Sequence, residues 1–149
     1  MGVLITNRQR RVAIDLRKLL KDASRLLELL NLRNTELSIL IGNDATLKAL
    51  NSRYRNKTAT TDVLSFPLWS SRGKIPPNQE ILLGDIVINA HMALRRAEET
   101  GMSLHQTLRQ LLIHGLLHLA GHDHERSPSE SRKMSHRERR LIHALAQMG

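Results

Sequence analysis

Apolar residues along this chain recur with two periods. Val3-Leu4-Ile5-Thr6 reads as a first strand. Val12, Leu16, Leu19, Leu20, Ala23, Leu26, Leu27 and Leu30 then recur at helical spacing and predict an amphipathic helix of about five turns. Leu37, Ile39 and Ile41 alternate, so 36–41 reads as a strand. Asn43 or Asp44 is placed to cap a short helix carrying Leu47, Leu50 and Tyr54. Thr61 to Phe66 reads as a strand stopped by Pro67, and Ile81 to Ile88 as a fourth. Ser70-Ser71-Arg72-Gly73-Lys74 and Pro76-Pro77-Asn78 mark the long loop between them.

From Asn89 onward the pattern is helical. One helix is expected from Asn89 to about Thr100, stopped by Gly101. Ser103 with Gln106 forms a capping box for the next, which continues to Gly121. Ser127-Pro128-Ser129-Glu130 opens the last helix. Its inner face is Met134, Leu141, Ile142 and Leu145; its outer face shows Arg132, Lys133, Arg137, Arg139 and Arg140. With no internal repeat and no linker, the sum is one α+β domain over 1–149: a mixed four-stranded sheet covered by about five helices.

Composition narrows the chemistry. A chain of 149 residues is long enough to bury a core without disulfides, and it has no cysteine. Thiol catalysis and cysteine-ligated zinc are excluded, and a reducing cytoplasm suits the chain. Lys plus Arg number 23 against 14 Asp plus Glu, so the net charge of +9 favours polyanionic partners, nucleic acid first. The aromatics are Tyr54, Phe66 and Trp69, too few to stack successive bases, so a nucleic acid is held mainly through its phosphates. No stretch approaches the ~20 apolar residues of a membrane helix. The opening residues lack a signal pattern, and the loose myristoylation match of Met1-Gly2-Val3-Leu4-Ile5-Thr6 is accounted for by the first strand. No unexplained apolar stripe demands a dimer, so a monomer is expected.

The chemistry-bearing stretch is His114-Gly115-Leu116-Leu117-His118-Leu119-Ala120-Gly121-His122-Asp123-His124. On a helix, His114 and His118 lie about 40° apart in azimuth and about 6 Å apart along the axis, so their imidazoles point the same way. The segment around them is apolar nearly all round, and buried imidazoles need partners. A divalent metal supplies one for both. Gly121 falls near the same azimuth, where a side chain would crowd the metal, and it permits the left-handed turn that ends the helix. The chain can then fold back to present His124. Three neutral imidazoles suit one zinc ion with a coordination position left open, which leans catalytic. His122 reads as a loop residue, a fourth ligand or a proton-transfer group, and Asp123 as a turn residue or a partner of a metal-bound imidazole. His91, His105, His136 and His143 fall outside the spacing and read as ordinary helix residues.

The spacing His-x-x-x-His-x-x-Gly-x-x-His is that of metzincin proteases, where glutamate follows the first histidine as general base. Here Gly115 stands there, which argues against peptide hydrolysis.

At these residues the chain resembles the YbeY family of bacterial endoribonucleases. The resemblance extends to Leu50-Asn51 with Tyr54-Arg55, to Thr61-Asp62-Val63-Leu64-Ser65-Phe66-Pro67, to Leu83-Gly84-Asp85-Ile86-Val87-Ile88, and to Met134 with Glu138. It implies zinc held by His114, His118 and His124, with Arg55 a functional arginine in the cleft. It also implies a single-strand-preferring endoribonuclease that matures the 3′ end of 16S ribosomal RNA and serves ribosome quality control, with ribosomal or small-subunit partners. The chain departs from the family at Lys57-Thr58-Ala59-Thr60, where a Lys-Asp-Lys-Pro-like run is usual, at His122, often tyrosine, and at Thr107, often glutamate.

Within that reading His114 and Arg55 carry the catalytic expectation. Zinc can polarise a phosphate oxygen or activate a water, and Arg55 offers a permanently charged fork to a non-bridging oxygen. The RNA 2′-hydroxyl, with metal assistance, stands as one candidate attacking group, and metal-bound hydroxide, Asp85 and Asp123 stand as candidate proton acceptors. Asp62 and Asp85 sit in strand-like runs, where a hydrogen-bonded structural carboxylate is the commoner role. The competing reading is a ribosome-assembly factor that binds RNA, with a structural zinc and little cleavage.

Overall fold

Asp15 decides where the first helix begins. Its side chain accepts a hydrogen bond from Lys18 N at 3.2 Å, so α1 spans Leu16–Leu29. That is a turn shorter than the apolar period from Val12 suggests. Val12 is buried for another reason: Gln9 clamps its backbone, Nε2 donating to Val12 O and Oε1 accepting from Val12 N, both at 2.9 Å. An apolar residue brought to the core by a side-chain clamp looks, in sequence, like one more helical position.

The computed structural model describes residues 2–68, 80–121 and 128–148. Around α1 lie β1 Val3–Asn7, β2 Thr35–Gly42, α2 Asp44–Arg55, β3 Val63–Pro67, β4 Ile81–Asn89, α3 Ala90–Thr100, α4 Leu104–Leu119 and α5 Pro128–Gln147. The α+β expectation holds. Asn43 caps α2 by accepting from Thr46 N at 3.0 Å, the Ser103–Gln106 capping box opens α4, and Pro128 is the first residue of α5. Ser127 and the loop at 70–78 lie outside the described residues. Pro67 ends β3 from inside, as its last residue. An edge strand tolerates the missing N–H.

The strands run in the order β1-β2-β4-β3, the first three parallel and β3 antiparallel to β4. A register shift opposite Glu36/Leu37 inserts one extra residue into β4. It resets the alternation, so Leu83, Ile86 and Ile88 all enter the main core. Leu82 and Asp85 turn to the other face, where they line a shallow cavity with Leu4, Glu36, Ser38 and Leu68. That face is covered in part by α2, whose Leu47 clusters with Leu64 of β3 and Val87 of β4.

The main core joins α1, α4 and α5 to the inner face of the sheet. Helix α4 is its axis: Leu108, Leu112, Ile113, Leu116 and Leu117 are all at most 1% exposed. One charged cluster pins α1 to α4. Asp22, 4% exposed, accepts from Arg109 Nε at 3.0 Å and Nη2 at 3.3 Å, and meets His105 Nε2 at 2.7 Å. His105 is therefore a partner in a buried network, more than an ordinary helix residue. Among the described residues no helix is long and apolar enough to cross a membrane.

Candidate metal centre

The burial of α4 leaves one side of its second half for the histidines. Gly115, Leu116 and Leu117 are buried, while His114 and His118, one turn apart, are half-buried. Their Nε2 atoms face each other at 3.2 Å, with ring centroids 4.8 Å apart and planes at 67°. Helix α5 supplies the next residue. Glu138 Oε1 lies 2.6 Å from His114 Nδ1, and the two side chains remain 27% and 33% exposed. A carboxylate at that distance accepts a hydrogen bond from the Nδ1–H of His114 and so leaves the Nε2 lone pair facing His118.

This arrangement fits a metal. Two imidazole nitrogens at 2.0–2.1 Å from a tetrahedral zinc are separated by about 3.3 Å, against the 3.2 Å found. A carboxylate on the far nitrogen of a ligating histidine is the usual outer support of such a site. The third expected ligand, His124, lies in the segment 122–127, outside the described residues, as do His122 and Asp123. Among the described residues no group of three His, Cys, Asp or Glu side chains gathers into a cage; the structure brings together two of the expected three.

The two glycines of the motif have different reasons. Gly121 takes φ +100°, the left-handed turn expected after α4, and a Cβ built there meets no atom of the described residues within 4 Å. Its positive φ alone favours glycine there. Gly115 is a close approach. A Cβ there would lie 3.0 Å from Ile86 Cγ2 and 3.1 Å from Ser65 Oγ, and the Gly115 carbonyl accepts from Ser65 Oγ at 3.0 Å. The position where a metzincin carries its glutamate faces the sheet here. Even a restored carboxylate would point away from the histidine pair.

Arg55, the last residue of α2, is exposed and donates from Nη2 to the Ser65 carbonyl at 3.3 Å. Ser65 thus links Arg55 on one side to the residue after His114 on the other. Asp85 is not available to the histidine pair. Ile86 packs toward Gly115, neighbouring strand residues alternate, and Asp85 lines the opposite face. Asp62 has the structural role expected, paired with Arg96 Nη2 at 2.7 Å. Thr107 is buried, its hydroxyl donating to Ser103 O at 3.1 Å, so the departure from glutamate leaves no unpaired group.

Glu138 is the contact that spacing arguments do not isolate. The available signal was a lone acid among Arg137, Arg139 and Arg140, four residues after the buried Met134. That places it beside the core-facing stripe rather than on the solvated one.

A family model described as Endoribonuclease YbeY matches residues 4–146. A protein named Endoribonuclease YbeY from Geobacter metallireducens is 40% identical over 150 positions, spanning 100% of this chain and 99% of its own. Its namesake from Persephonella marina is 44% identical over 119 positions, 79% of this chain and 76% of its own. That from Aquifex aeolicus is 38% identical over 144 positions, 97% and 91% respectively. Among solved structures, the solution structure of TM1509 from Thermotoga maritima shares the fold, with a TM-score of 0.64 at 22% identity, covering 94% of this chain and 86% of that one.

Proposed function

This chain belongs to the endoribonuclease YbeY family, and on that premise we propose that it cuts phosphodiester bonds in single-stranded RNA with the help of one bound zinc ion. The observation that carries the proposal is the convergence of His114 Nε2 and His118 Nε2 at 3.2 Å, with Glu138 set behind His114. His114, His118 and His124 would hold the ion, since three neutral imidazoles without thiolate suit zinc. When bound, it supplies Lewis-acid polarisation of a phosphate oxygen and acidifies a coordinated water.

The chain's own residues do the rest. Glu138 keeps the Nδ1 proton of His114 in place and the ring turned toward His118. Arg55 presents a planar, permanently charged fork at the exposed end of α2, suited to a non-bridging oxygen as negative charge builds on the phosphate. With Asp85 on the far face of the sheet, Asp123 is the remaining aspartate that could take the proton of the attacking group, a water or the RNA 2′-hydroxyl. Ribosomal RNA is the substrate proposed, in maturation of the 16S 3′ end and in ribosome quality control. The protein would act as a single-domain cytoplasmic monomer with small-subunit partners.

A second reading, an RNA-binding assembly factor with a structural zinc, is favoured by one observation. Arg132, Lys133, Arg137, Arg139 and Arg140 of α5 are all exposed, a surface suited to phosphates whether or not a bond is cut.

The deciding experiment compares wild type, His114→Ala and Arg55→Ala on single-stranded ribosomal RNA, with metal content measured on each. His114→Ala should lose both zinc and cleavage, and Arg55→Ala should keep zinc and lose cleavage. Undiminished cutting by both variants would overturn the nuclease assignment at this site. Normal ribosome binding by non-cutting variants would separate the two readings.

A further inference from the structure

Tyr54 is 58% exposed, although the chain has only three aromatic residues in all. It sits on the last turn of α2, between Arg53 and Arg55. Phe66 meets its ring nearly edge-on, with centroids 5.4 Å apart and planes at 68°. The Arg53 guanidinium lies 5.4 Å from its centroid. These contacts hold the ring in place while more than half of the residue remains open to solvent.

Its position matters as much as its exposure. Phe66 packs with Leu47, Leu64 and Val87 under α2, while Ser65, the preceding residue, reaches Gly115 of α4. Tyr54 and the histidine pair therefore lie on opposite sides of one strand, β3, which is the edge of the sheet. The odd-numbered residues of β3 direct their backbone groups away from β4. Leu68 N donates to Leu83 O and Asn89 N to Asp62 O, so the even-numbered residues of β3 carry the ladder bonds to β4. The Ser65 carbonyl then points outward, where Arg55 Nη2 donates to it. A chain crossing this edge from α4 toward α2 meets the Arg55 cation and then the Tyr54 ring.

We propose that Tyr54 is a substrate-binding residue that stacks one unpaired nucleobase of the RNA, next to the phosphate that Arg55 holds; this rests on the nuclease reading above and names what its substrate must offer. A base inside a duplex has both faces covered by its neighbours, whereas a single strand can turn one base out onto an aromatic ring. One such ring gives a physical cause for preferring single strands without a platform for successive bases.

The test measures binding of a short single-stranded RNA and of the same sequence as a duplex, at several salt concentrations, for wild type, Tyr54→Ala, Tyr54→Leu, Tyr54→Phe and Tyr54→Trp. Loss of one stack should weaken single-strand binding by roughly 5- to 150-fold in the Ala and Leu variants. Phe and Trp should stay within about twofold of wild type, because any aromatic face stacks. Duplex binding and the salt slope should not move, since no phosphate contact is removed. In cleavage assays the loss should fall on KM rather than kcat, and Tyr54→Trp fluorescence should be quenched by the strand beyond the Trp69 background. Leu binding as well as Phe, or Ala weakening duplex and single strand alike, would overturn the proposal. Wild type that binds the strand without cutting it would count against the nuclease reading, while the binding comparison would still decide this one.

Discussion

Glu138 and His114 stand 24 residues apart in the chain and 2.6 Å apart in space, carboxylate oxygen to Nδ1. The contact joins α5 to α4 and sets which imidazole nitrogen is left to bind an ion. Removing the carboxylate, in Glu138→Ala, should lower zinc affinity by about 10- to 100-fold. Glu138→Gln keeps an acceptor without the charge and should lose less. Competition with a chelator of known affinity checks both, and equal zinc retention in all three proteins would show that Glu138 does not support the site.

Gly115 is closely approached by the sheet, and a side chain there would crowd it. With Ile86 Cγ2 and Ser65 Oγ at 3.0 and 3.1 Å from a built Cβ, Gly115→Ala sets an overpacking cost of about 1–3 kcal/mol against the roughly 1 kcal/mol that alanine gains over glycine inside a helix, so the net loss should be at most about 2 kcal/mol. Gly115→Glu, which restores the metzincin pattern in sequence, should cost more and yield no peptidase. Urea unfolding with a peptide-cleavage assay checks this; a stable, proteolytic Gly115→Glu would contradict the placement of this residue against the sheet.

The Asp22 cluster should be a stability element with no part in cleavage. Asp22→Ala leaves Arg109, only 20% exposed at its side chain, without its carboxylate. The cost should be about 3 kcal/mol, the lower end for breaking a buried pair. His105→Ala should cost about 1 kcal/mol. Thermal or denaturant melts measure both, and zinc content and kcat should be retained in whatever fraction remains folded.

Asp44 predicts an acid-side effect of definite sign. Hydrogen bonds from Arg95, and after them one from Asn89, hold its carboxyl at about 2 instead of 3.8. A lowered folded-state pKa contributes stability that is present above pH ~4 and lost as pH falls toward 2. Asp44→Asn should therefore lose less stability than wild type between about pH 4 and 2. The Arg95 and Asp44 side chains are 51% and 40% exposed, so the difference should be small and reduced by added salt. Parallel acid-unfolding curves for the two proteins would count against this pairing.

Local periodicity was enough for the kind and order of the elements, though not for the start of α1. The alternation of Leu37, Ile39 and Ile41 and the helical spacing through α4 and α5 are burial patterns that survive in any fold using them, because each depends on near neighbours in the chain. The same holds for His114 and His118, whose shared direction follows from helix geometry alone. What required tertiary structure was every relation across elements. Glu138 behind His114, Ser65 against Gly115, Asp85 turned to the far face by a bulge, and Tyr54 across the edge strand from the histidines all depend on which surfaces pack together. Side-chain period fixes a residue's direction relative to its own helix or strand; only packing fixes what stands opposite it.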